Sequence, residues 1–115
     1  MGLGSLAKWV SKDARYKVIE VLVSTRSIKA LASELGVSRA AINKYLKRIT
    51  HPSDETLARA LDMVEEYERK RILQILIDDM LEALSIISRE IKELNDREAK
   101  RMFVERLLKI VEDLS

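Results

Sequence analysis

The residues of this sequence best suited to recognition chemistry lie between positions 38 and 47. A helix there would place Arg39, Asn43 and Lys47 on one side. An arginine can donate two hydrogen bonds to O6 and N7 of guanine, and an asparagine can pair in a similar way with N6 and N7 of adenine. The pattern therefore indicates hydrogen bonding to base edges in a DNA major groove. We expect base contacts from Ser38, Arg39, Ala40, Asn43 and Lys44.

A second group of polar and basic residues is better placed to contact the phosphate backbone. Phosphate contacts set the register and the affinity of a protein on DNA without reading the base sequence. We expect such contacts from Ser27, Lys29, Lys47, Arg48 and Thr50.

Positive charge is concentrated in the first half of the chain. Residues 1–53 contain ten Lys and Arg against three Asp and Glu, whereas residues 54–115 contain eleven against sixteen. The balances of +7 and −5 give the overall charge of +2. A basic half that carries the candidate recognition residues indicates a surface for a polyanion.

Two short helices with a tight turn between them would position these residues. Ser27 and Ser38 are good N-caps, and Gly36 stands where a left-handed backbone would end the first helix. The sequence therefore predicts a helix–turn–helix, with a recognition helix at about 38–48. Its buried side is expected to consist of Leu31, Ala32, Leu35, Val37, Ala41, Ile42 and Tyr45.

Further helices are predicted on both sides of this motif. Ser11 can cap a helix that buries an apolar stripe and exposes Lys12, Arg15 and Lys17. Pro52 interrupts the chain after the recognition helix, and Ser53 can then cap the next helix.

The stretch GVSRAAINKYL, followed by THPSDETLARAL, resembles the Cro/cI-repressor (Xre-type, lambda-repressor-like) helix–turn–helix family over about residues 12–67. The resemblance implies sequence-specific binding of double-stranded DNA, usually as a two-fold dimer. The family usually has an acidic residue and then a glycine after the recognition helix, where Leu46 and Arg48 stand here. The recognition helix could therefore run one turn longer, or its exit could bend differently. The positions that match the family are Ala32, Gly36, Val37, Ser38, Ile42, Pro52, Ser53, Glu55, Thr56 and Leu57.

The last part of the chain reads as a long antiparallel helical hairpin. A heptad seam begins at Leu73. It is interrupted by Asn95 and Asp96, and a second amphipathic helix follows. These helices carry more apolar surface than one neighbour hides, which predicts a homodimer; packing of the hairpin on its own DNA-binding domain is the alternative. The expected dimer interface consists of Leu73, Ile77, Met80, Leu84, Ile87, Ile91, Phe103, Leu107 and Ile110.

These patterns predict an all-α protein: a lambda-repressor-like domain of four to five helices, followed by the dimerising hairpin. We expect an N-terminal tail at residues 1–10, the DNA-binding domain at 11–67 and the hairpin at 68–115. Trp9 in the tail either docks on the helical core or belongs to an arm that touches DNA or a partner.

Composition argues against several other classes of protein. There is no cysteine and only one histidine, His51, so thiolate and histidine-rich metal sites are excluded. Without a catalytic constellation or a Gly-rich phosphate loop, we expect no enzyme activity and no cofactor. No signal peptide or membrane span is recognisable, and the composition is common in intracellular proteins of hot environments, so a cytoplasmic location is expected.

The sequence predicts a repressor-like transcriptional regulator, and two alternatives stay open. The chain could be the DNA-binding and oligomerising module of a recombinase, transposase, plasmid or viral protein. It could also be a helical interaction protein that does not bind DNA. The operator sequence and any small-molecule effector are not encoded in a recognisable way.

Overall fold

The computed structural model describes residues 2–115, which contain one 3₁₀ helix, six α-helices and no strand. The all-α prediction is confirmed. The chain divides into two compact units, one that extends to Met80 and one at Leu81–Ser115. No helix in the described range is long and apolar enough to cross a membrane. The elements are the 3₁₀ helix Leu3–Trp9, α1 Lys12–Thr25, α2 Ile28–Leu35, α3 Arg39–Leu46, α4 Asp54–Asp62, α5 Glu66–Leu94 and α6 Arg97–Glu112.

Serine caps fix the starts of the first four α-helices. The hydroxyl oxygens of Ser11, Ser27, Ser38 and Ser53 each accept a hydrogen bond from the backbone N–H three residues later. Each bond satisfies one of the orphan donors at a helix start, and a cap of this kind is worth about 1 kcal/mol. The four caps predicted from the sequence are therefore confirmed.

The core of the first unit combines α1 to α4 with the first half of α5. Its apolar side chains come from every one of these helices, and the inward face predicted for the helix–turn–helix is part of it. The largest fully buried apolar side chains are Val18, Ile19, Leu22, Leu31, Leu35, Ile42, Pro52, Leu57, Leu61 and Ile72.

The N-terminal segment is folded, contrary to the tail predicted for residues 1–10. The 3₁₀ helix packs against α4, with Ala7 and Val10 buried, and the N–H of Gly4 donates to the carboxylate of Asp62 at 2.9 Å. Trp9 is 61% exposed, so its ring is not buried in the core. Sequence periodicity missed the segment because a single 3₁₀ helix buries only a few small residues.

Arg15 is buried, although the helical pattern placed it outside. Its guanidinium donates to the carbonyl oxygens of Val10, Ala7 and Pro52 at 2.9, 3.0 and 2.9 Å, and to Asp54 at 2.7 Å. A buried charge of this kind is tolerated because every acceptor around it is oriented by the fold. Arg15 thereby joins the N-terminal segment, α1 and the start of α4.

A second buried charge joins α5 to the end of α1. Glu68 is 1% exposed and accepts hydrogen bonds from Thr25 at 2.5 Å and from Arg26 at 2.8 Å, as well as from the backbone N–H of Glu65 at 3.0 Å. Burial alone would raise the pKa of Glu68, but these hydrogen bonds together hold it below its ordinary value.

The first half of α5 therefore belongs to the first unit and does not begin the hairpin at residue 68. Leu76 is buried, and Met80 packs against the same core. Asp79 accepts hydrogen bonds from the N–H of Ser11 at 3.0 Å and from its hydroxyl at 2.5 Å, so α5 also secures the start of α1. The heptad spacing missed this division because Ile72 and Leu76, one position away from the seam, carry the packing.

The second unit consists of the end of α5 and α6. Asn95 has a left-handed φ of 54°, and Asp96 caps α6 by accepting from the N–H groups of Glu98 and Ala99, as the sequence predicted. No residue of α6 is buried. Unit 2 therefore leaves much of its apolar surface in contact with solvent.

The nine residues predicted for the dimer interface are used in different ways. Met80 is partly buried and packs against the core of the first unit. Leu84, Phe103 and Leu107 line one groove within the second unit, and they are half-buried there, as is Ile91. Exposed side chains remain at Leu73, Ile77, Ile87 and Ile110.

Candidate nucleic-acid interface

The turn between α2 and α3 has the geometry that the sequence predicted. Gly36 has φ 70° and ψ 33°, in the left-handed region that favours glycine. Its N–H bonds to carbonyl oxygens of Ala32 and Ser33, and the N–H of Val37 donates to Ala32 at 3.0 Å. These bonds close the last turn of α2, and Ser38 then starts α3.

Two buried side chains anchor α3 in the core. Ile42 is fully buried, and Tyr45 is 7% exposed. Burial raises the pKa of the Tyr45 hydroxyl, and a hydrogen bond with Thr56 opposes that shift. Since both side chains point inward, the rotation of α3 about its axis is fixed, and so is the set of residues on its outer side.

All five residues predicted to contact bases are exposed on α3 or at its start. Among residues 2–115, neither Arg39 nor Lys44 takes part in an ion pair, so both charges remain available. Ser38 accepts the N–H of Ala41 at 3.0 Å, which leaves its hydroxyl proton free to be donated. The exposed group is Ser38, Arg39, Ala40, Asn43 and Lys44.

All five residues predicted to contact phosphates are also exposed. Ser27 caps α2, so its position coincides with the positive end of that helix. Lys47 is the C-cap of α3. The exposed residues are Ser27, Lys29, Lys47, Arg48 and Thr50.

Arg48, the fifth residue, is held by α1. Its guanidinium donates to Asp13 at 2.8 Å and to Glu20 at 3.3 Å, and it lies 5.2 Å from the centre of the Tyr16 ring. Hydrogen bonds from Lys17, and then from Arg48, hold the pKa of Asp13 below its ordinary value. Arg48 thus pairs with two of the three acidic residues of the basic half and ties the exit of α3 to α1.

The exit of α3 explains how the chain departs from the family pattern. The helix ends at Leu46 rather than at 48, so it does not run a turn longer. Arg48 has a left-handed φ of 57°, the N–H of Ile49 donates to Lys44 at 2.9 Å, and that of Arg48 donates to Tyr45 at 3.0 Å. This is a Schellman closure, in which Arg48 takes the conformation that a glycine usually supplies.

Two features of the site were missed in the sequence. Arg59 donates to the carbonyl oxygen of Leu35 at 3.1 Å and to Glu55 at 2.7 Å, so α4 supports the end of α2. The four-residue spacing of Glu55 and Arg59 signals their pairing, but nothing local signals the bond to Leu35. Ile49 is 64% exposed just beyond α3, which places an apolar side chain at the edge of the polar face.

Comparison with known proteins supports the assignment of a helix–turn–helix. A family model described as Helix-turn-helix matches residues 25–63, which run from the end of α1 to the end of α4. The matched family is the Cro/cI-type, Xre-like helix–turn–helix, so the resemblance seen in the sequence is confirmed for this segment. Searches of curated proteins and of solved structures gave no match.

Proposed function

Because residues 25–63 fold as a helix–turn–helix and match the Cro/cI-type family model, we propose that the protein is a transcriptional regulator that binds specific sequences in double-stranded DNA as a homodimer. The observation that carries the proposal is the outer face of α3. Its polar and basic side chains are exposed, while Ile42 and Tyr45 lock the opposite face into the core. A short rigid helix with such a face has the shape and chemistry that a major groove accepts.

The roles of the base-contacting residues follow from their positions on α3. Arg39 and Ala40 lie in the first turn, where a recognition helix enters the groove, and Asn43 lies one turn later. Arg39 suits guanine, Asn43 suits adenine, and the methyl group of Ala40 suits the methyl group of thymine. Each good bidentate pair is worth roughly 1–3 kcal/mol of discrimination against a wrong base.

The phosphate contacts surround this reading face. Lys29 and Lys47 supply mobile positive charges, and the start of α2 at Ser27 supplies backbone N–H groups. Arg48 has a different role in this proposal, because its guanidinium already has two carboxylate partners. It holds the C-terminal end of α3 against α1 through Asp13 and Glu20.

A dimer would place two such faces on one side of a DNA duplex. Two-fold regulators of this kind read half-sites about one helical turn apart, roughly 34–36 Å. The exposed apolar surface of the second unit supports association, since α6 has no buried residue. The gain in affinity from two half-sites depends on that association.

Selection of bound duplexes from a random pool tests the proposal. We expect the parent protein to enrich a two-fold palindrome, and Arg39→Ala to lose the preference at one position in each half-site. Arg89→Ala, which removes an exposed arginine of α5 outside the motif, is the matched control and should select the parent sequence. If the parent shows no binding to random duplex even at low salt, the proposal is wrong, because non-specific binding should appear there.

A further inference from the structure

The second unit carries an apolar ridge on the outer side of α6. Val104, Leu108 and Val111 are spaced by four and three residues, so they share one face of the helix. Their side chains are 52%, 51% and 58% exposed. Three adjacent aliphatic side chains with half or more of their surface in water are costly unless another surface covers them.

An apolar groove lies beside this ridge within the same unit. The two helices line it from opposite sides, and Val111 belongs to both the ridge and the groove, so the two features form one continuous surface. Ser85 and Ser88 are small residues on the α5 side, which allows another helix to approach closely. The remaining residues of the groove are Leu81, Leu84, Phe103, Leu107 and Ile110.

We infer that a second copy of this chain docks on this surface, with the ridge of each copy in the groove of the other. A two-fold interface must be self-complementary, and a ridge beside a groove of similar length meets that requirement. The inference gives the dimer of the proposed function a location, but it rests on the second unit alone and not on DNA binding.

The charges that border the ridge favour a second copy in an antiparallel arrangement. Arg101 precedes Leu108 by seven residues and Glu112 follows it by four, so both border the ridge, and Glu105 lies on the same border between them. If Val104 of one copy lies beside Leu108 of the other, Arg101 of each copy lies within one residue of the level of Glu112 of the other. Two opposite-charge pairs would then flank the apolar contact.

The other apolar stripe of this unit is less suited to a second copy. Ile86, Ile87 and Leu94 of α5 are exposed, but Glu90 lies between them. Two-fold pairing about the middle of that stripe would bring two glutamates together, and like charges destabilise such contacts. No charged residue lies among the three apolar side chains of the α6 ridge, and Glu105 at its border is four residues from Arg101 of its own helix, a spacing at which the two can pair.

Charge reversal on the full chain, without DNA, tests the inference by sedimentation equilibrium. We expect the parent to be a dimer, and Arg101→Glu or Glu112→Arg alone to raise the dissociation constant by on the order of tenfold or more. The double variant should restore the dimer, because the pairs re-form with exchanged signs. Leu108→Glu should give a monomer, and Lys109→Glu, an exposed reversal off the ridge, should leave the dimer unchanged.

Circular dichroism of each variant shows whether the helices are retained, so that loss of the dimer is not mistaken for unfolding. A monomeric parent, a dimer that survives Leu108→Glu, or a double variant that stays as weak as the single ones would overturn the inference. A folded monomer that still binds one DNA half-site would leave the DNA-binding proposal intact. A dimer with the expected charge dependence and no DNA binding would uphold this inference and refute that proposal.

Discussion

Replacing Arg15 with methionine should destabilise the first unit more than any exposed substitution. Methionine fills a similar volume but has no donor, so the carbonyl oxygens of Ala7, Val10 and Pro52 lose the N–H groups that now lie 2.9–3.0 Å away. A hydrogen bond to a charged group contributes roughly 1.5–3 kcal/mol. The three bonds together are therefore worth about 4 kcal/mol at the lower end of that range.

The ion pair adds little to this figure, since the side chain of Asp54 is 65% exposed and such pairs are worth about 0–1 kcal/mol. Arg15→Lys should lose about half as much as Arg15→Met, because one ammonium group can replace some of the donors but not all. A loss of about 4 kcal/mol is a large part of a small domain's stability of roughly 5–15 kcal/mol.

Urea unfolding followed by circular dichroism and by the fluorescence of Trp9 would measure this loss. Trp9 is the only tryptophan and lies in the segment that Arg15 holds. With a slope of about 1.5 kcal/mol/M, the midpoint should fall by roughly 2–3 M. Lys12→Ala, on the same helix but exposed, should stay within about 0.5 kcal/mol of the parent. An Arg15→Met variant within about 1 kcal/mol of the parent would refute the structural role.

Two further predictions concern charge and backbone conformation. The pKa of Glu68 is held below its ordinary value of 4.5, so the free energy of unfolding should fall as pH drops below that value. In Glu68→Gln it should fall less steeply. Equal slopes for the parent and the variant between pH 5 and 3 would contradict this prediction. At Arg48, where φ is 57°, substitution by glycine should give a higher urea midpoint than substitution by alanine. At Lys47, where φ is −87°, alanine should give the higher midpoint. The same order at both sites would show that the left-handed conformation at the exit of α3 is misassigned.

Local chemistry made the helix–turn–helix predictable from the sequence. A serine cap acts within three residues, and Gly36 ends α2 through bonds to residues four positions or less away. Both signals are complete in a short stretch of chain. The inward face of α3 could be predicted from helical periodicity, which is also complete in a short stretch of chain. The remaining residues of α3, which are mostly polar and basic, then define its outer face.

Tertiary contacts are the part that the sequence did not reveal. Arg15 was assigned to the surface because its acceptors include Pro52, 37 residues away, and Glu68 is buried because Thr25 and Arg26 reach it from more than 40 residues away. The exit of α3 likewise depends on carboxylates of α1 that hold Arg48. No rule of spacing within one helix contains such information.

The prediction of a dimer interface illustrates a third limit. The heptad seam in α5 was visible in the sequence, but a seam does not specify its partner. Met80 packs, partly buried, against the core of the first unit, and Leu84 lines a groove of the second. What remains exposed on α6 becomes the candidate surface only once those assignments are known.

The relative affinity for a selected duplex and a random duplex, measured over a range of salt concentrations, tests the central claim most directly. Arg39→Ala should lower the ratio of specific to non-specific affinity by roughly 1–3 kcal/mol and leave the salt slope nearly unchanged. Lys47→Ala should weaken binding to both duplexes alike and reduce the slope by about one, and Lys92→Ala, an exposed lysine of α5, should change neither. If Arg39→Ala discriminates between the duplexes as well as the parent does, α3 is not the reading helix.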